Sequence, residues 1–385
     1  MRARAFAILG GLALALPAHG EGPGTTAVPI LQTPLSARAA GMGTSFTAVA
    51  DDSSALYYNP AGLARLAARE AAFTFTSGAG GETSLQNLAY AGPTPFAGLA
   101  GNGYSGAGAS LLYSRSGTIE VNRLNPDGSL GSSEVLSAGS DLVLTGGYAE
   151  RVAMSPIESR DGSYQVDHYL GVSGKFVHST IVNHSASVFA ADFGYLVNSP
   201  EAGWSLGVSA LNLGRKIRYV EEDEPLPAIL RGGVAWRGGV PAQHSVLASL
   251  DGDYLVTEQQ WHANAGLEYF WEKLYGARLG YQFHRDEAGL TMGLGLRWQG
   301  RLLLDYAWAL GQVLSSSHRI TMTYRFGGRP KAQSARPSRP IIESLPERDE
   351  PRGDIKPRLP QVVEPPARPR DVPRERVEGA PGWIY

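Results

Sequence analysis

The chain has 385 residues, with 48 glycines, 17 tyrosines, no cysteine and a formal net charge of -2. This length fits two average globular domains or one large barrel, and a composition rich in glycine with only 18% charged residues is typical of short strands. The near-neutral charge excludes a general nucleic-acid binder, which needs a basic surface. The lack of cysteine excludes disulfides and the usual zinc sites.

Residues 1–20 follow the order of a secretory signal peptide. Arg2 and Arg4 give a positive start, residues 6–16 are apolar, and small residues follow. An apolar run of 11 residues is too short for a helix that crosses a bilayer, which needs about 20. We therefore predict export, with cleavage after Ala18 or Gly20.

Residues 21–68 precede the first predicted strand and contain a compact motif. The glycines of Gly41-Met42-Gly43 allow a tight backbone path. Asp52 or Ser53 is suited to cap a short helix, and Asn59 is suited to cap a second one because a proline follows it. We therefore predict compact structure here and not a loose linker.

From residue 69 to 327 the sequence contains fourteen runs in which apolar residues alternate with small or polar ones. Alternation of this kind, bounded by turn residues, predicts half-buried strands. The predicted strands are 69–76, 84–92, 105–116, 141–153, 166–180, 185–198, 203–213, 228–238, 245–256, 261–271, 275–284, 289–299, 301–309 and 318–326.

The two faces of these runs are clearest in the second half of the chain. In the run 261–271, Trp, Leu and Tyr side chains share one face, opposite His262, Asn264 and Glu268. A soluble β-sandwich also alternates, but its core favours compact side chains, whereas these apolar faces end in Trp, Tyr or Phe. Aromatic residues at the ends of strands of about ten residues are typical of a membrane barrel. The sequence therefore predicts an all-β fold, a transmembrane antiparallel β-barrel of about fourteen strands.

The connections alternate between short and long, as periplasmic turns and extracellular loops do. The links 272–274 and 299–300 are short where a turn is expected, and residues 117–140 and the acidic segment 214–227 are long where a loop is expected. Residues 154–165 break the pattern, because they form a long link on the expected periplasmic side.

The composition changes after the last predicted strand. Residues 329–385 hold 12 of the 25 prolines, with 12 basic and 9 acidic residues. Such a segment cannot bury enough surface to offset its ordering entropy. We predict a disordered Pro/Arg/Glu-rich tail over residues 328–385 in the periplasm, either bound to a periplasmic partner or simply solvated.

Residues 36–63 resemble the N-terminal signature of the PorV/PorQ group of outer-membrane proteins, and their Asn-Pro-Ala core is similar to the hatch of the FadL long-chain fatty-acid transporters. The likeness continues in segments such as 210–214, 266–269 and 317–321 and covers residues 33–327. It implies a 14-stranded barrel in the outer membrane whose N-terminal segment, residues 21–68, folds into the lumen as a plug. The motif residues of this hatch are Gly41, Met42, Gly43, Asp51, Asp52, Asn59, Pro60, Ala61 and Gly62.

The strand pattern also places eleven charged residues on the lumen side of the wall. Because they carry both signs, they can pair inside the barrel. We interpret them as a ladder that fixes the plug to the wall, with a substrate site as the alternative. They are Lys175, Asp192, Arg231, Asp251, Asp253, Glu268, Arg278, Arg297, Asp305, Arg319 and Arg325.

The sequence contains no catalytic pattern. The eight histidines lack metal-ligand spacing, and no nucleophile elbow or phosphate loop is present. We therefore expect neither an enzyme nor a cofactor. The resemblance leaves three functions open: FadL-like transport of hydrophobic small molecules, a PorV-type secretion component that binds exported proteins, or a structural role. Outer-membrane lipid is an expected partner in each case.

Overall fold

The computed structural model describes residues 26–78, 83–101, 103–125, 129–159, 162–240, 243–284, 288–311 and 316–328. The predicted signal peptide and the predicted tail beyond residue 328 lie outside the described residues. Among the described residues, no helix is both long and apolar enough to cross a bilayer.

Fourteen antiparallel strands form a closed barrel, and the predicted fold class is confirmed. Each strand pairs with its neighbours in sequence, and β1 closes the barrel by pairing with β16. Strands β8 (Ile217–Arg218) and β9 (Asp223–Glu224) form a separate small hairpin, so β7 pairs with β10. The barrel strands are β1 (Ala68–Ser77), β2 (Ser84–Pro93), β3 (Ser105–Leu124), β4 (Leu130–Ser159), β5 (Gly162–Ile181), β6 (His184–Ser199), β7 (Trp204–Gly214), β10 (Ile229–Val240), β11 (His244–Leu255), β12 (Gln260–Trp271), β13 (Tyr275–Phe283), β14 (Ala288–Trp298), β15 (Leu302–Gly311) and β16 (Ser317–Gly328).

Two predicted connections are wrong. Residues 117–140 continue β3 and β4, with Thr118 opposite Ser137, and residues 154–165 continue β4 and β5, with Ser155 opposite Val166. Both segments carry polar residues on both faces, so the period of two is weak in the sequence. Backbone hydrogen bonds nevertheless extend the ladder, because they do not depend on which side chains are present.

The two faces of the wall are chemically different. In β12, Leu267 and Tyr269 are exposed on the outer face, whereas Asn264, Glu268 and Phe270 are buried on the inner face. Exposed aromatic side chains gather at the end of the barrel where β1 begins, which we call the near end; they are Trp236, Trp271, Tyr275, Trp298 and Phe326. The opposite end is the far end. An apolar outer band that ends in aromatic residues is the surface expected in a lipid bilayer.

The short links predicted at the near end are tight turns. Glu272 and Lys273, and likewise Gln299 and Gly300, have positive φ at both central positions. This backbone geometry matches the right-handed twist of the strands that it joins. The sequence therefore placed these two hairpins correctly.

The N-terminal segment lies inside the barrel. The Ala27 amide donates to the carbonyl of Pro225. Pro225 belongs to the loop between β7 and β10, which lies at the far end. The chain then runs through a 3-10 turn (Pro29–Gln32), helix α1 (Ala37–Gly41), helix α2 (Ala55–Tyr58) and a second 3-10 helix (Pro60–Arg65). It enters β1 at the near end, so the segment passes along the length of the lumen.

Candidate functional site

The candidate site is the contact between the N-terminal segment and the inner wall. All eleven charged residues predicted to face the lumen do so: nine are buried, and Arg297 and Arg325 are half-buried. Sequence alternation was sufficient to place them, because in a strand alternate residues share a face. The alternation does not predict which residues these charges pair with.

Arg38 in helix α1 is the central cation of the site. Its Nη1 atom lies 2.5 Å from Asp51 and 3.0 Å from Asp52 within the same segment. Its Nε and Nη2 atoms donate to the two carboxylate oxygens of Glu268 in β12, at 2.8 and 2.9 Å. This bidentate pair joins the segment to the wall with a fixed geometry.

Arg38 is not among the site residues predicted from the sequence. The sequence does contain an indication of its role, because Arg38 is a single charged residue between alanines in a segment expected to be buried. A buried charge requires a partner of opposite sign. That rule predicts a carboxylate contact, but it does not say which of several carboxylates supplies it.

The ion pairs continue along the wall. Glu268 also accepts from Nε of Arg278 at 2.8 Å, and Arg278 pairs through Nη1 with Asp305 at 2.7 Å. Charges of alternating sign thus follow one another across β12, β13 and β15. Loss of a member of such a network is destabilising, because it leaves a neighbouring buried charge with one partner fewer.

Asp51 links this network to the near end. Its second carboxylate oxygen lies 2.5 Å from Nη2 of Arg237 in β10. Burial disfavours the charged carboxylate, yet the guanidinium groups of Arg38 and Arg237 hold the pKa of Asp51 well below its usual range. Asp51 is therefore an anion that binds two cations on different elements.

Asp251 in β11 holds the turn that follows helix α1. Its carboxylate accepts from the backbone amides of Phe46 and Thr47 at 2.9 and 2.7 Å, and from the Ser45 hydroxyl at 3.2 Å. Ser249, two residues before it, donates to the Ser45 carbonyl at 2.8 Å. Four polar contacts thus fix three consecutive residues of the segment.

A second group of charges lies in the wall itself. Lys175 donates to Asp192 at 2.9 Å and to the Asn212 side chain at 2.6 Å. Asn212 has a φ of 59° at an irregularity in the pairing of β6 with β7, a position that Asn tolerates better than most residues. The sequence analysis missed Asn212, because an irregularity in register leaves no periodic signal.

The remaining predicted wall residues each have a neighbouring side chain as a partner. Arg231 lies 3.5 Å from Asp253 and 5.3 Å from the ring centre of Tyr58. Arg297 lies over the Phe270 ring at 3.5 Å. Arg325 donates to Glu70 at 2.9 Å, and Arg319 donates to Ser317 at 3.4 Å.

Asn59 of the hatch motif has the predicted capping role and a further one. Its Oδ1 atom accepts from the Ala61 amide at 3.1 Å and so caps the helix that begins at Pro60. Its Nδ2 atom donates to the carbonyls of Thr47 and Tyr195, so it also joins the segment to β6.

The predicted cap of the first short helix is wrong. The N-cap of α2 is Ser54, and its side chain does not cap the helix. Asp52 instead accepts from the Ser54 amide at 3.0 Å while it pairs with Arg38. Because the helix begins after Ser54, Asp52 lies two residues before the N-cap, and its carboxylate binds Arg38.

The motif glycines and the wall glycines permit close contact of two backbones. Gly43, with a φ of +63°, lies against Tyr281 of β13, and a Cβ atom on Gly280 would overlap the Gly43 amide nitrogen. On the opposite wall, a Cβ on Gly171 would overlap the backbone of Pro60 and Ala61. A Cβ on Gly62 would overlap the Ala50 carbonyl oxygen, and one on Gly41 would lie 3.0 Å from the Gly293 Cα atom. Other inward-facing wall glycines with such contacts are Gly106, Gly194, Gly207 and Gly266.

Two cavities beside the segment are small. One of about 20 Å³ lies between Leu31, Leu35 and the wall, and one of about 30 Å³ lies beside Arg38. Each has room for one or two water molecules. A larger apolar depression of about 1010 Å³ lies on the outer face of β7 and β10 to β14, outside the lumen. Among the described residues, no group of acidic or His side chains is arranged to hold a metal ion.

Several solved structures have a similar course of the chain. The chain is similar to the Ralstonia pickettii toluene transporter TbuX, with 12% identity over 81% of this chain and 100% of that one and a TM-score of 0.45. It is also similar to the P. putida toluene transporter TodX, with 10% identity over 80% and 99% and a TM-score of 0.47. A Pseudomonas aeruginosa FadL homologue shows 15% identity over 75% and 97%, with a TM-score of 0.41.

The sequence itself matches no protein-family profile. No curated protein is similar to it in sequence.

Proposed function

We propose that the protein is a FadL-like outer-membrane barrel that acts in the transport of hydrophobic small molecules. The outer face of the barrel supports a membrane location, because it presents exposed Leu, Val and aromatic side chains while the charged residues turn inward. A closed barrel leaves no unpaired strand edge, which is the requirement for a sheet in lipid. The signal-like N-terminus and the parity of the strands support export and a periplasmic tail.

The observation that carries the transport proposal is the segment inside the barrel. Residues 27–66 are not strands of the wall, and polar contacts such as Arg38 with Glu268 hold them in the lumen. A segment of this kind can move without opening the strand ladder. We therefore regard it as the plug of a pathway whose other parts are the barrel ends.

A second candidate is a PorV-type secretion component. The observation in its favour is that the cavities beside the segment are about 20 and 30 Å³, too small for a hydrocarbon ligand. A barrel that stays closed would instead offer its ends to an exported protein or a secretion channel. A structural role in the membrane remains as the third expectation from the resemblance.

Affinity purification from outer membranes, followed by lipid analysis and identification of bound proteins, tests the two candidates. Hydrophobic small molecules that copurify with the barrel in the absence of a protein partner would support transport and contradict the secretion role. A stoichiometric exported protein on a lipid-free barrel would give the opposite answer. Fractionation of the cell and proteolysis of residues 329–385 from each side of the outer membrane test the location of the barrel and of the tail.

A further inference from the structure

The apolar depression on the outer face of the wall, of about 1010 Å³, extends across β7 and β10 to β14. Trp204 and Trp236 line it close to the near end and are partners in register on β7 and β10. From there it runs toward the middle of the wall, past Leu250 and Leu267, which are exposed. Because tryptophan favours the interface of a bilayer, the depression begins at the interface and continues into the apolar band.

The floor of the depression is a thin part of the wall. Its outward side chains are those of Ala248 and Ala265. On the inner face, the adjacent residues Ser249 and Gly266 are partners in register. Small residues thus occupy both faces of the wall at one place, so little more than the strand backbone separates the depression from the lumen.

The inner residues of the floor contact the N-terminal segment directly. The Ser249 hydroxyl donates to the Ser45 carbonyl at 2.8 Å. The carbonyl oxygen of Met42 lies 2.5 Å from the position that a Cβ atom on Gly266 would occupy. These contacts join the floor to the segment, so departure of the segment from the lumen would free the floor to move.

We propose that the depression binds an acyl chain of an outer-membrane phospholipid, and that the bound chain stabilises the N-terminal segment in its position inside the barrel. The inference rests on the proposed membrane location and concerns a lipid of the bilayer, not a transported molecule. The chemistry of the lining supports this occupant, because its outward side chains are Leu, Val, Ala, Trp and Tyr. A concave apolar surface also makes more contacts with a chain than a flat wall does.

The coupling follows from the thin floor. A lipid chain that fits the floor in its present shape has differential affinity for the state in which the segment holds that shape, and it shifts the equilibrium toward that state. By reciprocity, the segment in place increases the affinity of the depression for the lipid.

Photolabelling locates the lipid. The full chain is reconstituted in nanodiscs of phosphatidylethanolamine that contain a trace of the same lipid with a diazirine in one acyl chain, and labelled peptides are identified by mass spectrometry. We expect residues 248–250 and 265–267 to be labelled several-fold more than residues 109–113, an outer stretch of β3 beyond the depression that includes exposed Leu111 and Tyr113. Uniform labelling of the outer wall would mean that the lipid is only a solvent for the barrel, and would overturn the proposal.

A matched pair of substitutions tests the floor. Ala265→Phe places a ring in the depression and should remove the excess labelling there. Ala109→Phe makes the same change at an outward, exposed position of β3 and should leave it unchanged. Circular dichroism and heat modifiability of gel mobility check that each barrel is folded. Equal labelling of the two folded variants would contradict a site at the floor.

Hydrogen exchange tests the coupling. Exchange of the backbone amides of residues 42–47 is measured for the delipidated chain in amphipol, before and after addition of phosphatidylethanolamine. The lipid should slow exchange by about fivefold or more in the unchanged chain and have no effect in Ala265→Phe. Exchange that does not respond to lipid in the unchanged chain would show that the depression and the segment are independent.

A single cysteine distinguishes the lipid from a second copy of the chain. Because the protein has no cysteine, Ala265→Cys carries one thiol, and oxidation in membranes should leave it monomeric. Disulfide-linked dimers would show that a second copy covers the depression. Absence of the chain from outer membranes on cell fractionation would contradict the membrane location itself, whereas uniform photolabelling of a barrel found there would contradict only this inference.

Discussion

The two parts of the N-terminal segment are held in the lumen by different forces. The first part, residues 26–35, which we call the arm, packs aliphatic side chains such as Leu31 in one buried apolar cluster with wall residues such as Val143 and Val177. Among the described residues, its hydrogen bonds to the rest of the chain go to far-end loops. The anchored part, residues 36–66, makes a bidentate ion pair with the wall, forms several buried hydrogen bonds and lies with its backbone directly against wall glycines. The anchored part is therefore fixed to the wall by directional contacts, whereas the arm meets the wall through aliphatic side chains.

This difference affects how the N-terminal segment can leave the lumen. Aliphatic contacts are exchangeable, because a ligand of similar shape can replace them, whereas a buried ion pair has few substitutes. If the two parts open independently, they behave as separate cooperative units with different opening free energies. Hydrogen exchange of the backbone amides, read by mass spectrometry for residues 26–35 and 36–66 separately, measures this directly.

The largest effect is expected from Arg38→Met. The substitution leaves Glu268, Asp51 and Asp52 without their common cation, and loss of one partner from a buried pair costs about 3–5 kcal/mol. Amide protection should fall throughout residues 36–66. Arg123→Met is the matched control, because its pair with Glu134 is exposed and should contribute less than about 1 kcal/mol. Equal protection in the two variants would mean that the network does not hold the segment.

Asp251→Asn should have a smaller and more local effect. It removes the charge that accepts the Phe46 and Thr47 amides, and hydrogen bonds to charged groups contribute about 1.5–3 kcal/mol. Exchange of those two amides should accelerate more than exchange at Ala61. A uniform change over the whole segment would show that residues 36–66 open in a single step.

Gly280→Ala tests the close backbone contact. The new methyl group overlaps the Gly43 amide, and overpacking of this kind costs about 1–3 kcal/mol. Gly174→Ala is the control, because nothing lies within 4 Å of its Cβ position. Protease sensitivity of the segment should increase for Gly280→Ala only. Equal protease resistance of the two variants would mean that the wall backbone can shift enough to accommodate the methyl group at residue 280.

The smallest effect is expected from Glu258→Ala. It removes the acceptor of Thr26 and Gln32. Because Glu258 is only half-buried, solvent screens its charge, and each bond should contribute about 0.5–1.5 kcal/mol. Exchange should accelerate in residues 26–35 and remain unchanged in residues 36–66. Acceleration in both parts would contradict the division into arm and anchored part.

The barrel was predictable from sequence because its signal is local. Alternation in β12 and β16, together with turn residues at 272–274, gave the strands within a residue or two. The prediction was wrong where this signal is missing, in the paired extensions of β3, β4 and β5, because polar residues on both faces pair as well as any others. Only part of the candidate site could be predicted from the sequence. The inward charges follow from alternation, but the role of Arg38 depends on which carboxylate lies across the lumen.

By itself, the sequence determined the number of strands, the side of the wall on which each charge stands and the cap at Asn59, because each depends on residues close together in the chain. Only the tertiary structure decided that Arg38 meets Glu268, 230 residues away, and that residues 26–35 share a buried apolar cluster with wall residues of several strands. Those contacts arise from closure of the barrel around the segment, and closure brings together residues whose separation in sequence carries no periodic signal.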